Sequence, residues 1–72
     1  MRILAGQRWI WDNYALVEML ESSSEFDFNT ENCEILGQRV STTGSRYTEQ
    51  RWSFGKNYKD WIYLEGQDKP ND

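Results

Sequence analysis

Aromatic and β-branched residues crowd the segment from Gln7 to Leu20, on both sides of Asp12-Asn13. Asp and Asn tolerate the positive φ that a two-residue hairpin turn demands, so the pattern predicts two antiparallel strands joined there. With Asp12-Asn13 as the whole turn, Trp11 stands opposite Tyr14 and Trp9 opposite Leu16. Side chains alternate across a strand, which puts those four on one face and Ile10, Ala15, Val17 and Met19 on the other. Both faces are apolar. The hairpin therefore either closes into a barrel with one face inside or carries a cover on its outer face. A helix from Tyr14 to Glu21 competes, because Ala, Leu, Glu and Met are good helix formers; the strand is favoured.

Ser22-Ser23-Ser24 reads as a loop. Glu25-Phe26-Asp27-Phe28-Asn29 alternates polar with aromatic residues and predicts a short strand with Phe26 and Phe28 pointing inward. Cys33 to Ser41 is the next strand, and Gly37 within it suggests a bulge or a barrel corner. After the Thr42-Thr43-Gly44-Ser45 turn, Tyr47 to Phe54 is a strand with Thr48, Gln50, Trp52 and Phe54 on one face and Tyr47, Glu49, Arg51 and Ser53 on the other. Gly55-Lys56-Asn57 turns the chain, and Asp60 to Glu65 is the last strand. The expected fold is all-β: a small antiparallel barrel or sandwich of five to six strands, SH3-like or OB-like. Residues 1–66 form the single domain, and 67–72 are a polar tail holding the one proline, Pro70.

Composition narrows the source of stability. A 72-residue chain buries only about 60% of the surface it exposes when unfolded. Four Trp, four Tyr and three Phe supply the area that such a small core needs. The net charge is −4, a poor match for nonspecific binding to long nucleic acid. That average hides a division: residues 1–36 carry a balance of −5 and residues 37–72 a balance of +1. The start, Met1 to Asp12, lacks the apolar run of a signal peptide, and no stretch is long enough to span a membrane. With one thiol, the expected setting is a reducing cytoplasm.

The chain has no histidine and a single cysteine, Cys33. Neither a Ser-His nor a Cys-His pair can form, and an imidazole-ligated zinc site is ruled out. Cys33 has no cation beside it in sequence to activate it, so an inert thiol is expected. Asp27 to Glu31 resembles the opening of a calcium loop, but Asn32 stands where that loop needs glycine and Gln38 where it needs glutamate. No catalytic residue, metal ligand or cofactor is therefore assigned, and the chain reads as a non-enzymatic binding module.

Between Arg39 and Lys59 five cations face one carboxylate and are interleaved with Tyr47, Trp52, Phe54 and Tyr58. Cations that pair phosphates and rings that stack bases are the components of a nucleotide site. Arg46, Tyr47, Arg51, Lys56 and Tyr58 are the candidate ligand-binding residues. The alternative is a single-stranded nucleic-acid-binding barrel on the same stretch, and a structural subunit of a larger assembly comes third. Trp9, Trp11, Tyr14 and Leu16 are the candidate interface residues. The acidic run from Glu18 to Glu34 contains no Lys or Arg and offers a surface to a basic partner, or to the basic half of a second copy in a homo-oligomer.

The ending Asp60-Trp61-Ile62-Tyr63-Leu64-Glu65-Gly66-Gln67-Asp68-Lys69-Pro70 resembles those of small bacteriophage-encoded proteins. The resemblance implies a phage setting, in which compact acidic β proteins inhibit or sequester host components in the host cytoplasm. It contains no catalytic motif and transfers no site residue.

Overall fold

A computed structural model describes residues 1–66. The predicted tail, with the last four residues of the phage-like ending, lies outside the described residues. The described chain is all-β. One antiparallel sheet holds β1 (Arg8–Trp11), β2 (Ala15–Met19), β3 (Asn32–Arg39), β4 (Gln50–Gly55) and β5 (Trp61–Glu65), in the order β4-β3-β2-β1-β5. Successive strands are neighbours except for β5, which returns beside β1. This is an up-and-down order rather than the Greek key of an OB barrel. No helix forms among the described residues, so the competing helix over 14–21 is replaced by β2. No helix of the described residues is long and apolar enough to cross a membrane.

The sheet curls until its two end strands touch through side chains. Phe54 of β4 stacks on Trp61 of β5 with ring centroids 3.9 Å apart. Trp9 meets Phe54 and Tyr63 edge-on, each at 5.4 Å, and Trp52 meets Trp61 at 5.8 Å. The Trp61 indole N–H also donates to the Ser53 carbonyl at 2.9 Å, which ties β5 to the outer edge of β4. No backbone ladder joins those strands, so the barrel stays open. Aromatic pairs of this kind add about 0.5–1.5 kcal/mol each beyond their buried area.

The hairpin forms where expected, but one residue out of register. Asp12 and Asn13 have φ of 54° and 61°, and the Tyr14 N–H donates to the Trp11 carbonyl at 3.2 Å. Tyr14 nevertheless stays in the loop, so Trp11 pairs with Ala15 and Trp9 with Val17. A one-residue slip turns a strand over. Trp9, Trp11, Ala15, Val17 and Met19 therefore share the inner face, while Ile10 and Leu16 pair on the outer face beside Ile62. The expected face of Trp9, Trp11, Tyr14 and Leu16 does not exist. Trp9 is core, Trp11 is half-buried, Tyr14 is exposed in the turn, and Leu16 lies on the opposite face.

Two other expectations are corrected. Glu25–Asn29 is not a strand. Phe26 is buried as foreseen, but its N–H bonds to the Met1 carbonyl, and the chain turns at once through Asp27. Gly37 is neither a bulge nor a corner, for it pairs regularly with Met19 and Gln50. Its missing side chain is the seat of Trp52: a Cβ there would lie 2.8 Å from Trp52 Cδ1 and 3.0 Å from Val17 Cγ1.

Candidate functional site

The first concavity lies where the 20–31 connection passes the β1/β5 end of the curled sheet. Its volume is about 660 Å³. Trp9, Phe26, Phe28, Trp61 and Tyr63 supply the apolar walls, and Glu25, Asp27 and Glu31 stand among its lining residues. Trp9, Phe26 and Trp61 are 5%, 6% and 8% exposed, so these walls are fixed by the core itself.

The acidic rim is built by a tight local turn. Asp27 Oδ1 accepts the Asn29 N–H at 2.9 Å, and the Asp27 carbonyl accepts the N–H groups of Thr30 and Glu31. Glu31 Oε1 accepts the Asp27 N–H at 2.7 Å in return. The two carboxylates are thus oriented by backbone amides, and neither has an ion-pair partner among the described residues. Glu25 instead meets the Met1 amino group. Gly55 holds the far end of the turn in place. Its φ is 133°, a Cβ there would lie 2.0 Å from the Glu31 carbonyl, and the next N–H, that of Lys56, donates to the same carbonyl at 3.1 Å.

The second concavity, about 460 Å³, opens beside the ends of β3 and β4 and includes Trp11, Tyr14, Arg39, Tyr47, Thr48, Gln50 and Trp52. Arg39, half-buried, is among the residues that line it. Its Cζ lies 5.4 Å from the Tyr14 ring centroid and 5.0 Å from that of Tyr47. The Tyr47 N–H donates to the Arg39 carbonyl at 3.0 Å, which brings residue 47 alongside the end of β3.

The five ligand-binding candidates do not form one site. Arg46 donates to Gln38 Oε1 at 3.2 Å and to Glu18 Oε1 at 3.3 Å, and Glu18 also holds Arg8. Arg51 is paired with Glu21. Lys56 and Tyr58 follow β4 at its other end, separated from Arg46 by about 20 Å of strand at about 3.4 Å per residue. Tyr47 was expected on Arg51's face. The strand begins only at Gln50, and Tyr47 lines the cleft with Trp52 instead. The charge division between the halves is therefore met within one chain, through Glu18 with Arg46 and Glu21 with Arg51.

Among the described residues, two ionisable groups are shifted. Glu21 is held below the usual carboxylate range first by the Leu36 N–H that it accepts and then by Arg51, against desolvation. Burial pushes the Cys33 thiol up, and the negative charges of Glu21, Glu31 and Glu34 add to it. Cys33 is thus protonated at neutral pH.

No protein-family model, curated protein or solved structure matches this chain. Site residues must therefore be read from geometry. Asp27 and Glu31 enter the sequence reading only as the ends of a calcium-loop opening that fails, and Arg39 only as one cation of the 39–59 stretch; none of the three is among the candidate ligand-binding residues. For Arg39 a signal was present: it shares the parity of Cys33, Ile35 and Gly37 along β3, which places a cation at the end of an inward-facing row.

Proposed function

We propose that this chain is a non-enzymatic binding module whose working surface is the acid-rimmed groove, and that its partner is a protein presenting a cationic segment. The observation that carries this reading is the combination of five aromatic walls with the unpaired carboxylates of Asp27 and Glu31. Aromatic faces attract cations through their quadrupole, and rim carboxylates steer and orient a basic partner. The same rim repels phosphate. Binding of single-stranded nucleic acid gains no support from the geometry, because Arg46 and Arg51 are held by carboxylates and Lys56 lies at the far end of β4. Occupying a partner's basic segment is a means of sequestering or inhibiting it, in keeping with the phage setting that residues 60–70 resemble.

Fluorescence anisotropy with a labelled arginine–glycine peptide tests this. Saturable binding that weakens with added salt is expected, and none for the matched glutamate–glycine peptide. The double change Asp27→Asn with Glu31→Gln keeps the acceptors of the turn and removes both charges. Affinity should fall about three- to tenfold, at well under about 1 kcal/mol per exposed charge. Equal binding of the two peptides, or an unchanged affinity in the double variant, would contradict the reading.

A further inference from the structure

The described arginines fall into two groups. Arg8 and Arg46 meet Glu18, Arg51 meets Glu21, and Arg2 donates to the Ser23 carbonyl. Arg39 has no carboxylate and no side-chain hydrogen bond among the described residues, only the two tyrosine rings that clamp it. Ring contacts fix a guanidinium in place without using its five N–H donors. Those donors form a planar fork that matches the oxygens of a phosphate or carboxylate. The cleft around Arg39 contains no Asp or Glu, and Thr48 and Gln50 add polar groups to its wall. Its volume of about 460 Å³ falls within the range of about 300–1,000 Å³ for small-molecule sites.

We infer that the Arg39 cleft binds a small phosphate monoester carrying a planar ring, of the size of a nucleoside monophosphate. Arg39 takes the phosphate oxygens through its fork. The ring lies against Tyr47, which is 50% exposed and already fixed by its contact with Arg39. The inference is independent of the acid-rimmed groove: it uses different residues, the opposite charge and a different class of ligand.

The test is a titration of adenosine 5′-monophosphate into the full chain, followed by the nuclear magnetic resonance signals of the tryptophan indoles and the arginine Nε–H groups. Saturable shifts at Trp11, Trp52 and Arg39 are expected, with adenosine and inorganic phosphate each binding at least about tenfold more weakly. Arg39→Gln should lose at least about tenfold in affinity, whereas Arg2→Gln, with the same loss of charge, should lose none. Absence of saturable shifts, shifts confined to Trp9 and Trp61, or unchanged affinity in Arg39→Gln would overturn the site. Inorganic phosphate binding as tightly as the nucleotide would overturn the ring's part in it. Mapping on the unaltered chain decides the matter even where Arg39→Gln fails to fold.

Discussion

The acid-rimmed groove and the Arg39 cleft have no lining residue in common, and their aromatic walls meet only through Trp52 and Trp61, yet they are charged in opposite senses and by opposite means. In the groove, Asp27 and Glu31 are oriented by backbone amides of a tight turn, and their charges face outward without a cation. In the cleft, Arg39 is oriented by the rings of Tyr14 and Tyr47, and its charge has no carboxylate. The outer face is the contrast to both. There Arg8, Arg46 and Arg51 are matched by Glu18 and Glu21, contacts that contribute little to stability and leave little charge for a ligand. Charge available for binding is thus found where the chain positions an ionised group without neutralising it.

Gly37→Ala is the change expected to separate the two concavities most sharply. The added Cβ meets Trp52 and Val17, so overpacking should cost about 1–3 kcal/mol, read as a lower denaturant midpoint. Displacing Trp52 should abolish nucleotide-induced shifts in the cleft and spare peptide binding in the groove, whose lining residues do not include it. Loss of both would mean that the contact between Trp52 and Trp61 couples them.

A smaller effect distinguishes the outer face from either site. Because the Glu21 pKa is lowered in the fold, its contribution is present above the carboxylate pKa of the unfolded chain and is lost as pH falls through the lowered value. Stability of the unaltered chain should therefore decline in acid more steeply than that of Glu21→Gln, while the shifts each ligand induces at neutral pH are the same in both. Parallel acid profiles would contradict the assignment. The smallest effect concerns Cys33, whose raised pKa reports burial first and the carboxylate field of Glu21, Glu31 and Glu34 second. Alkylation by iodoacetamide should be slow at neutral pH and its rate should keep climbing with pH, levelling off only above the ordinary thiol range, with Glu31→Gln slightly faster. Rapid modification at neutral pH would contradict the raised pKa, and equal rates in the unaltered chain and Glu31→Gln would contradict the part that Glu31 plays in it.

Sequence reading recovers the fold class and the hairpin because both depend on local chemistry: alternation of apolar residues, and an Asp-Asn pair that accepts positive φ. It misses the register because nothing local states whether Tyr14 belongs to the strand or to the loop, and a single step inverts β2. The alternation of Phe26 and Phe28 is real, yet it serves a loop that buries Phe26 and half-buries Phe28 without a strand partner. Gly37 looks like a defect in a strand until Trp52 is placed over it. The basic stretch from Arg39 to Lys59 contains the right residue among wrong neighbours. What singles out Arg39 is that the Tyr14 and Tyr47 rings hold it where neither a carboxylate nor a side-chain hydrogen bond meets it, and its parity along β3 hints only at the inward placement.

The four tryptophans divide evenly between the two sites, with Trp9 and Trp61 in the groove and Trp11 and Trp52 in the cleft. One sample titrated first with the arginine–glycine peptide and then with adenosine 5′-monophosphate, monitored by its indole N–H signals, tests the central claim directly. The peptide should move Trp9 and Trp61, and the nucleotide should then move Trp11 and Trp52 without displacing it. Movement of the same pair by both ligands, or release of the peptide by the nucleotide, would contradict the existence of two oppositely charged sites on one curled sheet.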